Sequence, residues 1–408
     1  MKIFNKKIGQ FKIIILIIIT FIIIPIKQNK YGFENKLIRY IKFNKKDIKI
    51  NDYEAKLVSI IKYVNFLKES KYQVSYEQIE KPKVAFITTI FNQENYLLNF
   101  VFSIQNQKLK KFEFIIVDDF STDNSTQIIQ KIEEKDKRIK LIKNNKNMGT
   151  LYSRYVGELK ANAEYIIFVD CDDFVLQDGI FNSYKYIKKN DIDIIQFHTV
   201  WHYENQTYIN IDGYNYENII YQPYLSYIHY YNIENKKGEE YIYALWNKLI
   251  KREIVKKSFV WIGEIYLKEK IKTHNDLIIL FAFLRNANSY KYIDEIGYYY
   301  NYRATKDSAS NCWKNYMSSN EIVHGLFTNI KFLYEKTGNT YLDKYFCIFK
   351  IQHYYQQYNQ LFKYINDKEL AHITEIFKIL IDSNFISIED KSYILKIKSL
   401  ILKEKNIK

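Results

Sequence analysis

Two short apolar runs that each end in carboxylates constrain this chain more than any other feature. The first is Phe114-Ile115-Ile116-Val117-Asp118-Asp119, and the second is Tyr165-Ile166-Ile167-Phe168-Val169-Asp170-Cys171-Asp172-Asp173. Runs this short and apolar, separated by segments of helical periodicity, read as buried parallel strands. In an open α/β sheet the ligand crevice lies outside the carboxyl ends of the strands, so both acidic ends point into one crevice. Five ionised carboxylates crowded there repel one another unless a hard cation or a polar ligand takes up the charge. The pattern predicts a metal-assisted nucleotide site.

The flanking sequence supports an α/β reading. Strands are predicted at 84–89, 112–117, 139–142, 165–169 and 192–197, and helices at 96–107, 125–135, 151–161 and 180–188. Ser121-Thr122-Asp123 supplies capping residues ahead of the second of these helices. Strands alternating with helices imply a mostly parallel, right-handed wound sheet flanked by helices. Lys81-Pro82 punctuates its start. Beyond Trp201 the regularity fades into a Tyr- and Asn-rich stretch, and helical signal returns at 244–255 and 277–287. From 315 onward apolar residues recur at helical spacing without a chemical motif, which predicts a small C-terminal bundle of three or four helices.

The amino terminus has its own character. Residues 13–26 are apolar except for Thr20 and Pro25 and follow Lys2, Lys6, Lys7 and Lys12. A span needs about 20 residues, and snorkelling of Lys12 extends the usable stretch to 8–26. No small-residue cleavage site follows, so a signal anchor is favoured over a cleaved signal. The expected organisation is an N-terminal tail and membrane helix (1–30), a helical stalk (31–80), a first half of the catalytic domain (81–200), a second half (201–312) and the helical C-terminal region (313–408). The net charge of +15 comes from lysines scattered on amphipathic segments, with no nucleic-acid motif. Nucleic acid is therefore not an expected partner. Cys171, Cys312 and Cys347 show neither metal-type spacing nor a disulfide framework.

The stretch from Lys83 to about Thr199 resembles the family 2 glycosyltransferases of GT-A (Rossmann-like) fold. The resemblance rests on Val84-Ala85-Phe86-Ile87-Thr88-Thr89-Ile90-Phe91-Asn92 with Gln93-Glu94-Asn95-Tyr96-Leu97, and on Ser103-Ile104-Gln105-Asn106-Gln107. It continues through the two acidic runs with Phe120-Ser121-Thr122-Asp123, and through Asn147-Met148-Gly149 with Ser153-Arg154. Trp246-Asn247-Lys248-Leu249, Asn275-Asp276 and Tyr298-Tyr299-Tyr300-Asn301-Tyr302-Arg303 look like the less strict second half.

The resemblance implies roles for particular residues. Thr89, Phe91, Asn92, Glu94, Asp118 and Asp119 would bind the nucleotide, with Asp119 accepting hydrogen bonds from a pyrimidine edge. Asp170 and Asp172 would form the Asp-X-Asp motif, with Asp173 as a further metal ligand. Mn²⁺ or Mg²⁺ suits such oxygen donors, and one or two carboxylates with substrate phosphates commonly complete the shell. Asp170 would also touch the donor. Arg154 is either a diphosphate ligand, since guanidinium matches phosphate geometry, or an ordinary helix-surface arginine. Asp276 would be the base that takes the acceptor's proton in an inverting transfer, although the Glu that usually precedes it is absent and Asp276 also suits a helix N-cap.

Phe91 stands where some relatives carry Tyr, and Phe120 takes a position usually held by a small residue, which narrows the base pocket. The Gln-X-X-Arg-Trp motif of processive synthases is absent from the sequence. The expected activity is thus transfer of a single sugar from a nucleotide sugar, a UDP-sugar, to a glycan, glycoprotein or lipid-linked acceptor. The expected setting is a single-pass membrane enzyme facing a secretory lumen. A nucleotidyltransferase is the alternative enzyme, but its Gly-rich phosphate loop is missing from 88–97. A catalytically silent sugar-binding relative is the alternative of a different class.

Overall fold

The computed structural model of the protein describes residues 50–69, 77, 79–203, 206–210, 219–221, 244–271, 275–302 and 367–382, with a few further C-terminal positions. The apolar segment at 13–26, most of the aromatic-rich stretch after 210, Arg303, Cys312, Cys347 and most of the expected C-terminal bundle lie outside the described residues. Among the described residues no helix is long and apolar enough to cross a membrane.

In chain order the elements are α1 (Ile50–Glu69), β1 (Val84–Ile90), α2 (Leu97–Gln105), β2 (Phe112–Asp118), α3 (Ser125–Lys135), β3 (Ile139–Lys143), α4 (Thr150–Lys160) and β4 (Tyr165–Phe168). They continue with β5 (Phe174–Val175), α5 (Gln177–Asn190), β6 (Ile194–Tyr203), β7 (Gln206–Asn210), β8 (Ile220–Tyr221) and β9 (Lys248–Lys251). The last are α6 (Arg252–Ile262), α7 (Glu264–Leu267), α8 (Asn275–Asn286), β10 (Ser289–Tyr302) and α9 (Asp367–Asp382).

All described strands join one sheet in the order β3-β2-β1-β4-β9-β6-β10-β5, with β7 on β6 and β8 on β10. The strands β3, β2, β1 and β4 are parallel, as the alternation of strands and helices predicts. All seven residues of β2 are buried, which is what coverage of both sheet faces demands of a central parallel strand. Successive residues of β1 feed opposite cores. Ala85 and Ile87 meet Leu151 of α4, Phe259 of α6 and Phe283 of α8, while Phe86 and Ile90 meet Phe100 of α2 and Ile129 of α3.

Beyond β4 the sheet departs from the mostly parallel expectation. β9 runs antiparallel to both its neighbours, β4 and β6, and β6 then pairs in parallel with β10. The helix expected across 244–255 is therefore a strand followed by a helix that begins only at Arg252. Leu249 and Ile250 pair with Ile195 and with Ile166 and Ile194, and both are fully buried. A four-residue run buried on both faces carries no period that separates strand from helix.

The segment expected as a stalk contains α1, and that helix is docked. Leu57, Val64 and Leu67 recur on one helical face and pack with Phe102, Phe174, Leu176, Val200, Ile209 and Tyr299.

The placement of α4 fixes the site. A Cβ added at Gly157 would lie 2.4 Å from Ile87 Cγ2 and 3.4 Å from Val117 Cγ2, so the missing side chain lets α4 rest directly on β1 and β2. Ile87 is in the closed core and cannot yield without displacing its neighbours. Gly157→Ala is expected to destabilise the fold by about 1–3 kcal/mol through overpacking, read as a lowered denaturant midpoint at unchanged slope.

Candidate active site

β1 and β2 end in register, with Ile90 opposite Asp118, and the Asp119 amide donates to the Ile90 carbonyl at 2.9 Å. The first two carboxylates then divide their work. Asp118 accepts from the Ser121 amide at 2.9 Å and from the Thr126 hydroxyl, holding the turn into α3. Asp119 Oδ1 accepts from Asn144 Nδ2 at 2.8 Å and the Met148 amide at 2.7 Å, and its Oδ2 accepts from the Gly149 amide at 2.7 Å. Both aspartates are buried. Asp119 thus shapes the loop that leads into α4, whose N-cap Gly149 has φ 88°. Of the roughly four acceptor positions of a carboxylate, that leaves about one for a base edge.

Asn92 and Glu94, expected to bind nucleotide, each use one side-chain oxygen to join two loops. Asn92 Oδ1 accepts from the Thr122 amide at 2.8 Å, and Glu94 Oε2 accepts from the Asn124 amide at 3.0 Å and its Nδ2 at 2.8 Å. Thr89 lies half-buried in the same strand end. Phe91 and Phe120 are 45% and 51% exposed there.

The second acidic run splits by depth. Asp170 keeps 38% of its side chain open. Burial pushes its carboxyl up to about 6, against the pull of Arg154 and with the Asp276 and Asp172 charges adding to the rise. Asp172 is half-buried. Asp173, expected as a metal ligand, is 1% exposed and turned into the protein. Its Oδ2 accepts from the Tyr298 hydroxyl at 2.8 Å and its Oδ1 from the Asn301 amide at 2.8 Å. Tyr298 Oη also accepts from the Asp170 amide at 3.0 Å. Burial, with the neighbouring Asp172 and Asp170 charges, raises the Asp173 carboxyl well above the usual range. Asp173 therefore tethers the acidic loop to β10. Cys171 is buried in the core, as a filler residue would be.

Arg154 ties the site together. Its Nη1 donates to Asn275 Oδ1 at 2.8 Å and to Asp276 Oδ1, and its Nη2 donates to Asp170 Oδ1 at 3.3 Å. Burial opposes its charge, and the Asp276 and Asp170 carboxylates outweigh that effect. Arg154 is thus no surface arginine. It brings the end of β4 and the start of α8 to one point, so that Asp170 and Asp276 meet as the spacing along the chain could not show.

Sequence reasoning gave Lys248 no role. The structure buries it completely, with Nζ donating to the Ala244 carbonyl at 2.6 Å and Asn247 Oδ1 at 2.8 Å. Burial lowers its pKa to about 7, with the Asp276 charge pulling the other way. The signal lay in a lysine within the apolar setting Ala244-Leu245-Trp246-Asn247-Lys248-Leu249-Ile250.

Two outcomes follow from these placements. Asp173→Ala strands the buried Tyr298 hydroxyl and frees the Asn301 amide, and should cost about 1–3 kcal/mol in equilibrium unfolding. Lys248 binds its proton more weakly folded than unfolded, so its contribution rises with pH from about 7 to about 10. The stability difference between wild type and Lys248→Met should rise across that window in denaturant titrations at each pH.

Residues 85–259 match the sequence model of Glycosyl transferase family 2. The chain is 34% identical over 132 residues to an uncharacterized glycosyltransferase of Haemophilus influenzae, covering 32% of this chain and 50% of that protein. It is 29% identical over 237 residues to glycosyltransferase GlyA of Streptococcus pneumoniae, covering 57% and 32% respectively. It is also 25% identical over 277 residues to the cholesterol galactosyltransferase of Borreliella burgdorferi, covering 63% and 73%. The chain thus spans half or less of the length of the first two curated relatives. Among solved structures, Staphylococcus aureus TarS 1–349 in complex with UDP-GlcNAc is similar in fold, with TM-score 0.56 at 16% identity over 79% of this chain and 89% of that one. Residues 85–259 are thus similar in sequence to Glycosyl transferase family 2, and the mixed α/β sheet is similar in fold to TarS.

Proposed function

We propose that the protein transfers a single sugar from a nucleoside diphosphate sugar, a UDP-sugar, to a hydroxyl of a glycan, glycoprotein or lipid-linked acceptor, with inversion at the anomeric carbon. The observation that carries this reading is Arg154, whose one guanidinium bonds both Asp170 and Asp276. A donor-side carboxylate and a base-side carboxylate are thereby held in one place. The fold shared with TarS, which has been crystallised with UDP-GlcNAc, supports the choice of donor.

The residues fit a divalent ion as partial ligands. Asp170 and Asp172 are hard oxygen donors with accessible surface, and mutual repulsion contributes to the raised Asp170 carboxyl. Asp173 falls outside the set because both its oxygens are engaged. Among the described residues no group of three or more His, Cys, Asp or Glu could hold a metal alone, in keeping with a shell completed by substrate phosphates. Mn²⁺ or Mg²⁺ bound there would neutralise charge on the departing diphosphate.

The chain's own groups would do the rest. Arg154 can turn its guanidinium toward a diphosphate, since that fork matches phosphate oxygens. Its ion pair keeps Asp276 oriented. Asp276 takes the acceptor proton as the acceptor oxygen bonds to the anomeric carbon, and the bond from that carbon to the diphosphate oxygen breaks. In-line displacement gives inversion. The apolar segment 13–26 would serve as a single-pass anchor that brings membrane-borne acceptors within reach, a role supported by its sequence pattern alone.

Incubation of the protein with a panel of nucleotide sugars, with Mn²⁺ or with chelator, tests the proposal. Acceptor-dependent release of nucleoside diphosphate is expected, lost in chelator. Asp276→Asn should lower kcat by about 10²–10⁴ while donor binding survives. If no nucleotide sugar is bound or turned over, the donor reading fails. If Asp276→Asn keeps full activity, only the base assignment fails.

A further inference from the structure

Two observations at the crevice remain unused by that scheme. Phe120 is a bulky residue in the left-handed region, φ 72°, where a side chain of its size is a backbone outlier. It is also 51% exposed, so the strained conformation is not compensated by a buried ring. Such outliers persist only where the surroundings fix them, and they cluster at ligand sites. The surroundings here do fix it. The Asp119 amide on one side bonds the Ile90 carbonyl, while on the other the Ser121 amide donates to Asp118 and the Ser121 hydroxyl accepts from the Asn92 amide at 3.0 Å.

The position of Phe120 is equally specific. It follows Asp119 at the carboxyl end of β2, and Phe91, 45% exposed, follows the register partner of Asp118 at the end of β1. Two accessible aromatic residues therefore stand at adjoining strand ends, next to a carboxylate whose acceptor positions are mostly taken by Asn144, Met148 and Gly149. Hydrogen bonding from Asp119 can supply little of the affinity for a base. Ring faces can, because every nucleobase has a π-face. The Arg154 cluster suits phosphate rather than a flat ring.

We propose that Phe120 is a donor-binding residue that stacks on the nucleobase of the nucleoside diphosphate sugar, with Phe91 as the neighbouring aromatic wall. This rests on the donor reading above. Stacking makes recognition tolerant of the base, so UDP and other nucleoside diphosphates should all depend on Phe120.

Calorimetric titration of the full protein with UDP, GDP and inorganic pyrophosphate, each with Mn²⁺, tests the inference. Phe120→Gly should weaken UDP and GDP by about ten-fold or more, and Phe120→Tyr should restore them. Pyrophosphate, which has no base, should bind the variant as it binds wild type. The thermal midpoint of Phe120→Gly should not fall, because glycine accepts the left-handed backbone without strain. UDP affinity within two-fold of wild type in Phe120→Gly would overturn the proposal and leave the donor reading intact. Equal loss of pyrophosphate binding would overturn it too, by showing a general disturbance of the site. Wild-type protein that binds neither nucleotide would remove the donor reading itself and this inference with it.

Discussion

The site depends on one buried cation. Arg154 is 5% exposed and stands between carboxylates from two elements that share no strand pairing, Asp170 after β4 and Asp276 in α8. Taking a guanidinium out of water is costly unless its donors are met with good geometry, and here Asn275 adds a third acceptor. The arrangement is asymmetric. Removing the arginine would leave carboxylates facing one another, and removing either acid would leave a buried positive charge partly uncompensated. Everything that brings α4 close to the sheet, above all the bare Cα of Gly157 against Ile87, serves to deliver that one group.

Beneath this pair the acidic loop is held from behind. Tyr298 receives the Asp170 amide and gives its proton to Asp173, and Trp246 stacks on the Tyr298 ring at 4.8 Å and 11°. The loop's reactive edge and its fixed edge therefore belong to successive aspartates. Rigid support behind an accessible pair of oxygens is what preorganisation of a charged site requires.

Much of this was legible in the chain, for identifiable reasons. Parallel strands buried on both faces write themselves as short apolar runs, and β1 to β4 fall within a residue or two of their expected limits. Carboxylates at strand ends are conspicuous, and Asp170 does share the Arg154 guanidinium with Asp276. What sequence could not resolve was depth. Asp170, Asp172 and Asp173 look equivalent as letters, and only packing against β10 separates an open carboxylate from a tether. Nor could it show that Asn92 and Glu94 each lend one oxygen to a neighbouring loop. β9 was misread because it is short and has no exposed face, and the docking of α1 because its partners are scattered over α2, β5, β6, β7 and β10.

The seating of β9 and β10 has a consequence for how the molecule comes into being. Strands β1 to β4 are complete by Phe168, whereas Gln196 of β6 meets Tyr290 of β10 across 94 positions. Pairings that close long loops form late, and synthesis delivers the amino-terminal part first. A nascent chain can therefore hold the nucleotide-side strands in register, with Arg154 and Asp170 already neighbours, while Asp276 is still unmade. The helix that carries Asp276 precedes β10, so the carboxylate that the proposed chemistry needs comes into place only as the fold closes.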